Sequence, residues 1–287
     1  MKLVNAVCLV TGASSGLGRE IAKLLCEKGH TVYITARRKE KLRELKQECA
    51  GYTGKIKIIA GDLLDGKFRE RLIKQIMTEA KHIDYLINNA GYGTLIHFEH
   101  QTLEDIEKMF GLNIIAVEDL TRLALPHMKK AKKGRIINVS SVAAFGPPPY
   151  FATYNATKYA VHGFTRSLSY ELKNTGVSTS AAFPSRMKTA FWNVAFRCYG
   201  LAGANKETCY DKWTKGASTA DKVARKIVRK LNRRRLVIAP GLLSKLNYHI
   251  LRHLQFITTF YMRRIMEPRS KRQVVDKFDV KKYKANA

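Results

Sequence analysis

"VTGASSGLGRE", Val10 to Glu20, places three glycines, Gly12, Gly16 and Gly18, between an apolar run and a stretch of helical pattern. The run before it, Val4–Val10, reads as a strand, and Gly16–Lys28 reads as a helix. Glycines at such a junction let the backbone turn tightly and approach an anion. The helix N-terminus adds free N–H groups and the positive end of its dipole. The spacing G-x-x-x-G-x-G differs from the commoner G-x-G-x-x-G, and no Lys-Ser/Thr follows to make a P-loop. The reading that fits is a turn facing a pyrophosphate; the bland alternative is a turn that only packs the helix on the sheet.

Outward from this loop the same alternation continues. Further strands are expected at Thr31–Thr35, Lys55–Ala60, Asp84–Asn88, Arg135–Val139, Val177–Phe183 and Leu236–Ala239. Helical patterns lie between them, at Glu40–Cys49, Lys67–Ala80, Leu103–Lys130, Phe151–Asn174 and Thr219–Asn232. Apolar strands alternating with helices mean an α/β fold, a parallel sheet with helices on both faces. Ligands of such sheets bind beyond the carboxyl ends of the strands, where the winding reverses. Every motif below falls at such an end.

"YNATK", Tyr154–Lys158, sets a phenol and an ammonium one helical turn apart on one face. A free tyrosine titrates near pH ~10, and a fixed positive charge beside it favours the phenolate. Alone the pair means little. Together with "TGASSGLG", "NNAG" at Asn88–Gly91, Asn113 and the serines Ser140–Ser141, it resembles the motif set of the short-chain dehydrogenase/reductase family, in order and spacing, over roughly residues 1–240. The resemblance implies a Rossmann-type, doubly wound sheet of about seven strands, a nicotinamide dinucleotide, and hydride transfer at a carbonyl or alcohol carbon.

The resemblance assigns the site residue by residue. Tyr154 becomes the general acid or base, Lys158 holds the cofactor ribose and lowers the Tyr154 pKa, and Ser141 orients the substrate oxygen. Asn113 matches a position whose local helix distortion anchors a water that links the lysine to solvent. Gly12, Ser14, Ser15, Gly16, Leu17 and Gly18 form the cofactor loop, followed by Asn89, Ala90 and Gly91. Asp62 resembles an adenine-contacting acid, though an acidic helix cap explains it nearly as well. In "FPSRMKT", Pro184 and Thr189 fit the family's Pro-Gly-x-x-x-Thr, with Ser185 in place of the glycine.

NADP(H) is preferred over NAD because Ala36 stands where an acid would hold the ribose 2′-hydroxyl, and Arg37 and Arg38 follow. Guanidinium groups suit a 2′-phosphate, and Arg37 is the first choice. A solvated helix start is the competing explanation for these arginines. The loop itself carries Ser14 and Ser15 where many NADP-using relatives have a basic residue.

The chain has 287 residues with 52 Lys and Arg against 23 Asp and Glu, a formal net charge of +29. Residues 221–287 hold 19 of those basic residues and 4 of the acidic ones. Such charge suits an anionic membrane, nucleic acid or an acidic substrate, or reflects a lysine-rich solvated surface; without a groove-reading motif, nucleic acid is not expected as partner. Five scattered cysteines, no signal peptide and no apolar run of ~18 residues point to a cytoplasmic protein without metal, peripheral to a membrane at most. Residues 186–217 read as a substrate lid, rich in aromatics: Phe191, Trp192, Phe196, Tyr199, Tyr210 and Trp213. Those aromatics suit an apolar substrate, with Tyr92, His97, Phe145 and Pro147–Pro149 as further walls, or equally serve only to pack the lid itself.

Residues 241–287 read as a basic extension. Leu243, Leu246, Ile250, Leu254, Ile257, Tyr261 and Ile265 recur in it at helical spacing, for a membrane, the pocket or a dimer contact. The family's usual pairing through its two long helices implies a homo-oligomer, dimer or tetramer. The competing class is a dinucleotide-binding scaffold whose basic surface engages membrane or nucleic acid without catalysis.

Overall fold

The computed structural model of the chain describes residues 5–195, 214–240, 246, 248–250, 256 and 260. Its strands are β1 (Val7–Thr11), β2 (Thr31–Thr35), β3 (Lys55–Ile58), β4 (Tyr85–Asn88), β5 (Gly134–Val139), β6 (Val177–Ala182), β7 (Met187–Lys188), β8 (Ser218–Thr219) and β9 (Val237–Ile238). Its helices are α1 (Gly16–Glu27), α2 (Lys39–Glu48), α3 (Gly66–Ala80), α4 (Leu103–Phe110), α5 (Ala116–Lys130), α6 (Ala152–Glu171), α7 (Phe191–Ala195) and α8 (Ala220–Val228). Seven strands make one parallel sheet in the order β3-β2-β1-β4-β5-β6-β9, the Rossmann-type arrangement. The chain winds outward from β1 to β3, then returns to the other side of β1 with β4. The carboxyl ends of β1 and β4 therefore flank the reversal, where a parallel sheet opens a crevice.

Both faces are covered, which is why the strands are apolar on both sides. On one face α1, α2 and α8 present Leu17, Ile21, Leu25, Leu42, Leu45, Val223 and Ile227 to the sheet. On the other, α3, α5 and α6 present Leu72, Ile76, Leu120, Ala124 and Leu168. Spacings of three, four and eight residues put each set on one side of its helix. Among the cysteines, Cys8, Cys26 and Cys49 are buried and unbridged.

Two features depart from the expected elements. The helix read over Leu103–Lys130 is interrupted by a wide π turn, Gly111–Ile115, between α4 and α5. A small second sheet pairs β7 with β8 beside the expected lid. Strand ends also shift: β1 begins at Val7 (Val4 lies outside the described residues), and β3 and β9 are shorter than read.

One buried arginine ties the second layer to the loop after β3. Arg69 on α3 donates from Nε to Asp119 Oδ2 on α5 at 2.6 Å, and from Nη1 to the carbonyls of Leu63 and Leu64 at 2.6 and 3.2 Å. Burial raises the Asp119 carboxyl, but hydrogen bonds and charge from Arg69 and Arg122 outweigh it and leave the group below its ordinary 3.8. A lowered carboxyl pKa contributes stability that is fully present above 3.8 and is lost as pH falls through the folded value. Arg69→Met is expected to cost about 3 kcal/mol at neutral pH by urea unfolding. That gap should narrow on acidification below pH ~4; a gap that does not change with pH would refute the linkage.

Candidate active site

The crevice is closed at its base by one threonine. Thr11, the last residue of β1, accepts at its hydroxyl from the backbone N–H of Asn89 (2.9 Å) and of Ala90 (3.0 Å). Asn89 returns the contact, donating from Nδ2 to the Thr11 carbonyl at 3.0 Å. The loops after β1 and β4 are thereby held together. Gly12 has φ +68°, and a methyl on it would lie 2.8 Å from Ala90 Cα. A methyl on Gly18 would lie 2.6 Å from the Gly12 carbonyl oxygen and run into the Asn89 side chain. No side chain caps the N-terminus of α1, and its first turn holds no acid. Its N–H groups are thus offered to an anion, which is how such a loop takes a phosphate.

The reacting side chains come from β5, α6 and the π turn. Ser140 donates to the Lys158 carbonyl at 2.7 Å and is buried, fixing α6 against the end of β5. Ser141, its neighbour, caps the short turn Val142–Ala144 and hydrogen-bonds with Tyr154. The backbone N–H of Val142 donates to the Pro184 carbonyl at 3.2 Å, joining this turn to the segment after β6. Lys158 donates from Nζ to the Val139 carbonyl at 2.9 Å, and Nζ stands 5.7 Å from the Tyr154 ring centre. Asn113 sits at the middle of the π turn, fully buried. It donates from Nδ2 to the Tyr92 carbonyl (2.8 Å) and to Thr157 Oγ1 (3.0 Å), and it accepts from the Tyr92 N–H at 3.1 Å. The Gly91 backbone passes beside both groups, since a methyl there would lie 2.9 Å from Asn113 Oδ1 and 3.3 Å from Lys158 Nζ. Asn113, Ser141, Tyr154 and Lys158 thus come together at the carboxyl edge of the sheet.

Their electrostatics correct one expectation. Lys158 was expected to pull the Tyr154 pKa down, yet burial pushes the phenol up to about 12, with the Ser141 hydrogen bond opposing it only in part. Burial equally pulls Lys158 down to about 8. At about 8 Lys158 still carries its charge at neutral pH, but that charge does not offset the burial of the phenol.

Beyond the end of β2 the arginines divide differently from the sequence reading. Arg38 begins α2 and turns back, donating from Nη2 to Ser14 Oγ and Ser15 Oγ, both at 2.9 Å. Arg37, the first choice, is exposed and makes no such contact. Asp62 accepts from the Leu64 N–H at 3.0 Å and closes its own turn, while Asp65 is the residue that caps α3. Thr189 lies over the glycine loop: a methyl on Gly16 would be 3.4 Å from its side chain.

Aromatic rings wall the tyrosine. Phe151 and Phe191 stand 5.7 and 5.4 Å from the Tyr154 ring centre, backed by Leu95 and by Trp192, whose indole donates to the Met187 carbonyl. Phe145 is not part of this wall; it is buried with Phe183 and Tyr248 on another side. His97 lies against Tyr150, ring centres 4.8 Å apart and planes tilted by 56°. Phe196, Tyr199, Tyr210 and Trp213 lie outside the described residues. Sequence reasoning passed over Thr11, Thr157, Phe151 and the role of Ser140, although all four sit inside or beside the quoted motifs. Among the described residues no three His, Cys, Asp or Glu side chains form a metal-binding group.

A Rossmann-type sheet thus carries an open glycine loop at its reversal, with a Ser-Tyr-Lys group beside it. The sequence profile of the short chain dehydrogenase family matches residues 6–197, and the chain belongs to that family. A fatty acyl-CoA reductase from Acinetobacter baylyi is 36% identical over 185 residues, which make up 64% of this chain and 63% of that protein. A short-chain dehydrogenase from Sphingobium yanoikuyae, solved with NADPH, superposes with TM-score 0.75 at 26% identity, covering 88% of this chain and 94% of the other. A 3-ketoacyl-(acyl-carrier-protein) reductase from Brucella melitensis, complexed with NADH, gives TM-score 0.71 at 26% identity over 81% and 93% of the two chains. Both nicotinamide dinucleotides therefore occur among its structural neighbours.

The lowered Lys158 pKa has a measurable consequence. The folded chain sheds this proton at about 8, whereas the ordinary value is 10.5. Below the folded value the buried cation costs stability, and between the two values stability rises with pH because only the unfolded chain keeps the proton. Lys158→Met is expected to melt higher than the unaltered protein at pH 7 and to lose that advantage above pH ~10. A difference in melting temperature that is flat with pH would contradict the assignment.

Proposed function

We propose that this chain is an NADP(H)-dependent reductase or dehydrogenase acting on the carbonyl or alcohol carbon of an apolar substrate, with Tyr154 as general acid/base. The observation that carries the reading is Tyr154 placed beside Ser141 and Lys158 at the strand ends, with Phe151 and Phe191 walling its ring. The nicotinamide, when bound, supplies or accepts the hydride. The chain's own residues do the rest. Gly12, Ser14, Ser15, Gly16, Leu17 and Gly18, with the N-terminus of α1, hold the pyrophosphate. Asp62 and Asn89–Gly91 flank the adenosine half, and Pro184 and Thr189 the nicotinamide half.

Ser141 gives a hydrogen bond to the substrate oxygen, and Tyr154 passes it a proton in reduction or takes one in oxidation. Lys158 holds the ribose and, as a cation at neutral pH, favours the phenolate. Asn113 keeps the π turn open as the route by which the lysine meets solvent. The aromatic wall excludes water from the reacting carbon and matches an apolar substrate body.

The preference for NADP(H) rests on Arg38. Its two serine hydrogen bonds aim a guanidinium at the ribose end of the loop, and Ala36 leaves no carboxylate to repel a 2′-phosphate. The same guanidinium supplies the positive charge that the loop itself lacks. Residues 186–217 act as the lid and 241–287 as an extension of a cytoplasmic protein that touches membranes peripherally. Among the described residues no helix is long and apolar enough to cross a membrane. The exposed Ile115, Tyr159 and Tyr170 on the π turn and α6 support pairing of two copies through these helices.

Two variants test the reading. Tyr154→Phe should cut kcat by about a thousandfold with medium-chain ketones or aldehydes while NADPH binding, followed by fluorescence, is unchanged; full turnover would refute the mechanism. Arg38→Ala should weaken NADPH about 10- to 100-fold and leave NADH within a factor of two or so; equal loss for both would assign the preference elsewhere.

A further inference from the structure

Five members of the stripe read in the extension, Leu243, Leu254, Ile257, Tyr261 and Ile265, lie outside the described residues. The segment after β4 is described throughout, and it bears on the reacting group directly. Gly93 lies in it, buried. A methyl on Gly93 would stand 2.8 Å from Tyr154 Cδ2, 2.9 Å from Tyr154 Cγ and 3.1 Å from Phe191 Cζ. The φ of Gly93 is not positive, so the backbone conformation does not call for glycine there. What excludes a side chain is the Tyr154 ring itself, seated on the main chain. The contact falls at the root of the ring, and turning about the Cβ–Cγ bond leaves Cγ where it is.

The residues around Gly93 are tied to four other parts of the fold. The Tyr92 carbonyl, the oxygen of the peptide that precedes Gly93, accepts from Asn113 Nδ2 at 2.8 Å. Thr94 Oγ1 accepts from Gln101 Nε2 at 3.4 Å, and Gln101 Oε1 accepts at 2.6 Å from Thr153, the residue before Tyr154. The Leu95 N–H donates at 3.1 Å to the carbonyl of Ala195, the last residue of α7, which begins with Phe191. The Ile96 N–H donates at 2.9 Å to the carbonyl of Tyr150, the neighbour of Phe151. A segment held at four points resists retreat, so a side chain at position 93 displaces the ring. Two of the same bonds bring Phe151 and Phe191 to their places, 5.7 and 5.4 Å from the Tyr154 ring centre.

We propose that Gly93 is a positioning residue for Tyr154: its bare main chain is the stop against which Phe151 and Phe191 hold the ring, and it thereby sets where the hydroxyl meets a substrate oxygen. The effect on turnover rests on the reading of Tyr154 as general acid/base given above; the placing of the ring does not. Reacting groups tolerate little displacement, about 1 Å being enough to cost on the order of a hundredfold in rate.

The test compares the full chain with Gly93→Ala and with Gly93→Ala/Phe191→Leu, which removes the Phe191 ring from the space beside the new methyl. Gly93→Ala should lower kcat on a medium-chain aldehyde by about 30- to 100-fold, with KM and NADPH affinity changed less than about threefold. A loss confined to kcat is what a misplaced proton donor gives and a loosened fold does not. The double variant should regain at least about tenfold of that kcat, the non-additivity of two side chains competing for one space. The carbon-13 signal of the Tyr154 ring carbon bearing the hydroxyl, read without substrate, should move in Gly93→Ala and return in the double variant. An unchanged kcat, an unmoved signal, or a double variant no better than the single one would overturn the proposal. If Gly93→Ala folds poorly, recovery of melting temperature and NADPH binding in the double variant upholds the slot, and no recovery overturns it. If the unaltered chain turns over no carbonyl, the redox reading falls, and the carbon-13 signal alone decides the placing of the ring.

Discussion

Burial opposes the charged form of both groups to which we assign the chemistry. Tyr154 is pushed up to about 12 and Lys158 down to about 8, so the free protein keeps a neutral phenol beside an ammonium that sheds its proton easily. Neither is a good catalyst in that state. A site of this kind is tuned by what it binds: a positive ring at the crevice, added to the lysine cation, favours the phenolate, and desolvation makes each such charge count for more. The expectation of a tyrosine already acidified by its lysine failed because proximity was weighed without burial.

The rest of the fold holds these groups at one edge of one sheet. Thr11 and Asn89 lock the loops after β1 and β4, and Ser140 fixes α6 to β5 through the Lys158 carbonyl. Asn113 grips the backbone of Tyr92 from both sides, so the π turn, the loop after β4 and α6 move as a unit. Several of these contacts use side chain to backbone bonds, which position an element without needing a second matched side chain. Arg69 does the same for the loop that carries Asp62.

The strand–helix alternation, the parallel sheet and the crowding of motifs at strand ends were legible because each depends on local pattern: apolar period, glycine and spacing. The break in the long helix was legible only as a resemblance attached to Asn113, since "GLNII" has no composition that separates a π turn from an ordinary one. Arg37 and Arg38 could not be separated because neighbouring side chains at a helix start diverge by tertiary contacts, here the hydroxyls of Ser14 and Ser15. Phe145 was read as a further wall of the pocket. Its ring goes to Phe183 and Tyr248, a partner more than a hundred residues on that periodicity cannot supply. The β7–β8 pair is two residues long on each side, too short to leave a pattern.

The most direct test follows the Tyr154 ring carbon bearing the hydroxyl by carbon-13 NMR, assigned by comparison with Tyr154→Phe, as pH is raised with and without saturating NADP⁺. The account predicts a phenol that stays neutral beyond pH ~10 in the free protein and ionises roughly two pH units lower with the oxidised dinucleotide bound. A midpoint indifferent to the dinucleotide, or a phenolate already formed at pH ~8 in the free chain, would contradict it.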